Sequence, residues 1–272
     1  MKQILFVVLF AFISINAQRT IHQKKYRYYN ADFKEISFLN FKQNEDSELF
    51  KTVYYENDSS FIRKLMYKEV FGKLDKKRHH QLKKLYSLRY KIDTTKSWFI
   101  RYIDSIPNKE KMPAQSGIAY YNKQKEVIGF VPYGSDSKTP KNDYSKAAYH
   151  AHLSSYNDYV HQIEKEISSF GKEKTSELLH FYNKNHGFPE DLLYNFSYFK
   201  DDNLILKKSF REAVRNYEVI VIHPDGQFYL SFYGNRNYIS FSGRKNITKK
   251  LLKKSYFNRK RKQWKRKVKK LQ

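Results

Sequence analysis

The sequence predicts an α+β protein that is mostly helical, with an antiparallel β-meander and a basic helix near its C-terminus. Apolar residues recur every three or four positions over much of the chain, which is the spacing of amphipathic helices. Between residues 217 and 242, aromatic and β-branched runs alternate with turn residues, as strands of a meander do. The segment 244–272 contains 15 lysines and arginines and no acidic residue, which predicts a basic tail.

Length and composition limit the class of protein. The chain has 272 residues, a hydrophobic content of 40% and no cysteine. That length is sufficient to bury a core. The absence of cysteine excludes disulfide frameworks, thiol nucleophiles and cysteine-ligated metals.

The first 17 residues have the three zones of a secretory signal peptide. Lys2 supplies the positive start, residues 4–13 are apolar, and Ala17 is a small residue at the expected cleavage position. The apolar run is about half of the ~20 residues that a spanning helix needs. We therefore expect an exported protein, secreted or periplasmic, without a transmembrane segment in the mature chain. The alternative is a buried N-terminal element of a cytosolic protein.

The region 18–243 is expected to be globular, with a possible polar linker at 135–142. The candidate caps Asp58, Ser59 and Ser60 precede the first predicted helix. A hairpin is predicted from strands at 117–121 and 126–131. The predicted helices cover residues 61–70, 76–92, 97–106, 148–170, the surroundings of 178–182, and 192–199.

The meander is predicted from strands near 217–223, 227–233 and 238–242. Pro224, Asp225 and Gly226 separate the first two strands, and this order of residues favours a tight turn. His223 and Asp225 then lie at one polar corner. They are the candidate acid–base pair of a hydrolase.

The basic tail is the strongest functional candidate. The chain has Lys+Arg 53 against Asp+Glu 27, a formal net charge of +26. Such a charge attracts an anionic polymer or a membrane surface. Nucleic acid is a less suitable partner, because lysine outnumbers arginine and arginine is the bidentate phosphate ligand. The alternative is a solvated helix that only closes the domain. The candidate contact residues are Lys249, Lys250, Lys253, Lys254, Arg259, Lys260, Arg261, Lys262, Lys265, Arg266 and Lys267.

No cofactor and no metal site is expected from the sequence. His150 and His152 lie in a predicted helix, where residues two apart point about 200° apart and cannot bind one ion. The chain lacks a Gly-x-Ser-x-Gly elbow, a His-Glu-x-x-His run and a glycine-rich phosphate loop. The sequence therefore favours a non-catalytic, exported binding or structural protein that contacts anionic envelope material. An exported hydrolase with a site near the meander is the alternative.

Overall fold

The computed structural model describes residues 24–45, 47–134, 147–170, 174–210, 219–231 and 250–270. It divides into two compact units, residues 1–68 and 69–272. Four sequence predictions lie outside the described residues: the signal peptide at 1–17, the linker at 135–142, the third meander strand at 238–242, and Lys249 as a contact residue.

The N-terminal unit is a small sheet with one helix. In chain order it contains β1 (Lys25–Tyr29), α1 (Phe38–Glu45), β2 (Phe50–Glu56) and β3 (Ser60–Tyr67). The strand order is β1-β3-β2, with β1 parallel and β2 antiparallel to β3. Its core consists of Phe41, Phe50 and Leu65.

The C-terminal unit contains a large and a small sheet with five helices among its described residues. In chain order its elements are β4 (Glu69–Lys73), α2 (Lys76–Tyr90), β5 (Ser97–Ile106), β6 (Gly117–Tyr121), β7 (Val127–Pro132), β8 (Tyr149–Leu153), α3 (Tyr156–Phe170), β9 (Ser176–Asn185), α4 (Glu190–Asn195), β10 (Tyr198–Lys200), α5 (Ile205–Ser209), β11 (Val219–Ile222), β12 (Gln227–Ser231) and α6 (Lys254–Lys269).

The large sheet has six strands in the order β10-β9-β5-β11-β12-β4. Strands β10, β9 and β5 are parallel, whereas the pairs from β5 to β4 are antiparallel. The small sheet is antiparallel, with the order β7-β6-β8. All four residues of β11 are buried, because this strand lies inside the large sheet.

Helices cover both faces of the large sheet. On one face, the ring of Tyr86 in α2 stacks on Phe181, with centroids 4.9 Å apart. On the other face, the ring of Phe170 at the end of α3 packs against that of Phe99, with centroids 4.7 Å apart. The ring of Phe257 in α6 packs against that of Phe71, with centroids 5.4 Å apart. The sheet is therefore the middle layer of a three-layer core.

The prediction of a mostly helical protein is wrong. Helices and strands each account for 36% of the described residues, and twelve strands form three sheets. Residues 60–73 form β3 and β4, residues 97–106 form β5, and residues 176–185 form β9, where helices were expected. Strands that are buried on both faces have runs of apolar residues, and such runs also satisfy a helical spacing.

The prediction of a C-terminal β-meander is also corrected. Residues 219–222 and 227–231 do form an antiparallel hairpin around the predicted turn. However, β11 pairs with β5 and β12 pairs with β4, so the hairpin is part of the large sheet. Within the basic segment, the residues Lys254–Lys269 form helix α6.

Replacing Phe257 with alanine is expected to lower the free energy of unfolding by about 3–5 kcal/mol. The side chain has no exposed surface and contacts Phe71 and His223. Urea denaturation followed by circular dichroism measures the change. Tyr194→Ala is the control, because Tyr194 is 86% exposed and its loss should change stability by less than about 0.5 kcal/mol. Equal effects of the two substitutions would contradict the packing of α6 on the sheet.

Candidate functional site

Helix α6 has an apolar side that belongs to the core. Phe257 is fully buried, and the ring of Trp264 lies 6.0 Å from that of Phe71. Leu251 and Leu252, which precede the helix, are buried in the same cluster. The aromatic residues of this segment are thus used in packing.

The opposite side of α6 is cationic. Lys262, Lys265, Arg266 and Lys269 are exposed, and the intervals between them are three, one and three residues. Together with Asn258 and Arg261 they line a shallow, open depression on one face of the helix, called the groove below. Within the described part of the chain, no ion pair involves these four exposed cations. The groove therefore presents charge that is available to an external anion.

The predicted contact residues have different environments in the structure. Lys254 is paired with Asp225, with 2.6 Å between Nζ and Oδ2. Arg259 and Lys260 lie over the ring of Tyr256, at 5.0 and 5.8 Å from its centroid. Lys250, Lys253 and Lys267 are exposed away from the groove lining, and the groove itself contains Arg261, Lys262, Lys265 and Arg266. The sequence prediction ended at Lys267 and missed Lys269, although the helical spacing from Lys262 through Lys265 points to it.

His223 holds the chain that leads into α6. Its side chain is buried, and its Nε2 lies 3.1 Å from the carbonyl oxygen of Leu251. Because a carbonyl only accepts hydrogen bonds, Nε2 carries the proton and Nδ1 accepts from the Ser97 hydroxyl at 3.0 Å. Both ring nitrogens are thus engaged in attaching the C-terminal segment to β5 and β11.

The electrostatics of this corner differ from those of an acid–base pair. Burial and, next, the charge of Lys254 lower the pKa of His223 to about 4. Burial alone would raise the pKa of Asp225, but hydrogen bonds from Lys254 and the Gln227 amide lower it on balance. Asp225 therefore accepts hydrogen bonds from Lys254 and Gln227, and His223 bonds to Ser97 and Leu251. The structure places the two candidates near each other as anchors of α6.

Sequence reasoning missed the contact between Ser97 and His223. A hydroxyl bonded to an imidazole is the contact that activates a serine nucleophile. Here Ser97 is 6% and His223 2% exposed, so a substrate has no access to the pair in this conformation. The two residues are 126 positions apart, and no spacing signal connects them.

A second buried polar cluster, also missed, attaches α3 to the sheet. Arg101, His180 and Tyr198 are register partners on β5, β9 and β10. Glu166 of α3 accepts a hydrogen bond from Arg101 at 2.8 Å and lies 3.7 Å from Nε2 of His180. Burial lowers the pKa of His180, although Glu166 opposes this change. The cluster is a charged arginine–glutamate pair beside a neutral histidine.

Among the described residues, no group of three or more histidine, aspartate or glutamate side chains is placed to hold a metal ion. No helix in the described ranges is long and apolar enough to cross a bilayer. No protein-family model, curated protein or solved structure matches this chain. The features of the described residues that bear on function are therefore the groove on α6 and the corner that holds this helix.

The free energy of unfolding is expected to fall as the pH is lowered from about 6.5 to about 4. His223 takes up a proton near pH 6.5 in the unfolded chain, but has a pKa of about 4 in the folded protein. Between these values the unfolded state binds more protons, so acid favours unfolding. The contribution of His223 is roughly 2–3 kcal/mol over this interval.

Urea denaturation of the wild type and of His223→Gln at pH 7.5 and 4.5 measures this contribution. Glutamine can accept from Ser97 and donate to the Leu251 carbonyl, but does not titrate. We expect a smaller acid-induced loss of stability in the variant. Other titrating groups, including His180, are present in both proteins and cancel in the comparison. An identical loss in the two proteins would contradict a buried, neutral His223.

Proposed function

We propose that the protein is an exported, non-catalytic binding protein that attaches to an anionic polymer of the cell envelope through the exposed face of α6. The observation that carries this proposal is the row of Lys262, Lys265, Arg266 and Lys269 along the groove. This site does not use a catalytic set of residues. It requires only that negative groups lie within reach of the row.

The spacing of the row favours a polymer over a single small anion. Lys262, Lys265 and Lys269 are separated by about one helical turn, which is ~5.4 Å along the axis, and Arg266 is adjacent to Lys265. A chain with repeated carboxylate or phosphate groups can contact several of them at once. Each contact that displaces a counterion makes the binding more sensitive to salt.

The packing of α6 argues against insertion into a membrane. A helix that lies in a bilayer interface buries its apolar side among the lipid chains. In α6 that side includes Phe257 and Trp264, which pack against Phe71 in the core. Only the cationic face remains for an external partner, so the attraction is electrostatic.

Export is supported by the order of charged, apolar and small residues in the first 17 positions. The hydrolase alternative has weaker support. Of its two residues, Asp225 accepts a hydrogen bond from Lys254, and His223 is closed off between Ser97 and Leu251.

Removing the four groove cations is expected to weaken binding to a polyanion. In the variant Lys262→Gln, Lys265→Gln, Arg266→Gln, Lys269→Gln, the slope of log affinity against log salt should fall by about 3, because each ion pair contributes ~0.7–0.9. Fluorescence anisotropy with labelled heparin at several salt concentrations measures the slope.

The matched control is the variant Lys73→Gln, Lys76→Gln, Lys77→Gln, Lys84→Gln, which removes four exposed cations in and before α2. It lowers the net charge equally and should keep the wild-type slope. Equal losses in both variants would show that overall charge, and not the groove, drives binding. An unchanged slope in the α6 variant would contradict the proposal directly.

Export predicts that the mature protein begins at Gln18. Intact-mass measurement of protein recovered from separated cell fractions tests the prediction. We expect a mass that lacks residues 1–17 in the exported fraction. Recovery from the cytosol of a chain that retains Met1 would refute export, and it would leave the polyanion measurement unaffected.

A further inference from the structure

His150 and His152 lie on the same face of the small sheet. The prediction that they cannot share an ion assumed a helix, but both residues belong to strand β8. Side chains two positions apart in a strand project from the same face. The geometric argument that His150 and His152 cannot bind one metal ion therefore does not apply.

We propose that His150 and His152 bind one divalent transition-metal ion of the class that imidazole prefers, such as Zn²⁺. Imidazole nitrogens suit zinc, copper and nickel. His150 is exposed and His152 is half-buried, so an ion reaches both rings from solvent. Two protein ligands leave the other coordination positions to water. This site is independent of α6 and of the proposed attachment to an anionic polymer.

The ring geometry is close to that of a bound pair. The ring centroids of His150 and His152 are 6.2 Å apart, with an angle of 79° between the planes. Two imidazoles that each place a nitrogen ~2.0–2.1 Å from one tetrahedral zinc ion have centroids about 5 Å apart. Binding of one ion by both rings therefore requires side-chain rotations that bring the centroids about 1 Å closer together.

Tyr133 supports His152 in the way that an outer-shell group supports a metal ligand. Its hydroxyl is hydrogen-bonded to Nδ1 of His152. When Nδ1–H donates to this hydroxyl, the lone pair of Nε2 is free to bind a metal ion. Metal-ligating histidines commonly donate their second ring N–H to a partner in this way. Tyr120, the register partner of His150, places a further ring 6.1 Å from the ring of His150.

Calorimetric titration of Zn²⁺ into the untagged, full-length protein at pH 7.5 tests the proposal. We expect one saturable site in the wild type. His150→Ala and His152→Ala should each lower the affinity by more than about tenfold. Tyr133→Phe keeps both ligands and should lower the affinity by less than either of these substitutions.

The control is His79→Gln, His80→Gln, which also removes two imidazoles. These residues are adjacent on α2, where neighbouring side chains point about 100° apart, and the variant should retain the wild-type affinity. Circular dichroism checks that each variant is folded. The proposal is overturned if the wild type has no saturable site, if His150→Ala or His152→Ala keeps the wild-type affinity, or if the control loses it.

Discussion

The burial of β11 on both faces is the constraint on which the rest of the C-terminal unit depends. This strand, with the sequence Val-Ile-Val-Ile, has no exposed residue, so each face of the sheet around it needs a cover. On one face that cover includes Phe257, which packs with Val219 and Val221. The described part of the segment with no acidic residue consequently contributes to the core. A helix so rich in like charges is not stable in isolation, and its packing on the sheet both orders it and fixes the direction of its cationic face.

Helices α3 and α6 cover the same face of the large sheet. Each is attached by a buried polar contact in addition to its apolar packing. His223 bonds to the Leu251 carbonyl ahead of α6, and Glu166 of α3 bonds to Arg101 of β5. Apolar contacts have no preferred direction, whereas a buried hydrogen bond has a partner and an angle. These contacts fix where each helix lies. Because the corner at His223 requires a neutral imidazole, the attachment of the cationic face depends on proton concentration.

The sequence contains enough information for local turns but not for the sheet. The hairpin of β11 and β12 was predictable because Pro224, Asp225 and Gly226 carry the turn chemistry. Strand β5 was not predictable, because Trp98, Phe99 and Ile100 are all buried. Three apolar residues in succession hide the alternation of apolar and polar residues that identifies a strand with one exposed face. Asp58-Ser59-Ser60 has the composition of a helix cap, but it belongs to a turn. The side chain of Asn57 accepts hydrogen bonds from the amides of Ser59 and Ser60 there. Partners in the buried clusters come from distant positions, so only the fold identifies them.

The charge pattern of α6 is not explained by its packing. Closing the core requires the side of the helix that carries Phe257 and Trp264. It does not determine which residues lie on the exposed side. An exposed helix is stabilised by acidic residues in its first turn and by ion pairs three or four positions apart. Helix α2 has its terminal ion pairs, Asp75 with Arg78 and Arg89 with Asp202, but α6 has no acid in its first turn or beyond. Its like charges repel and lower its stability. Binding of an external anion, as proposed above, would neutralise these charges and offset the repulsion.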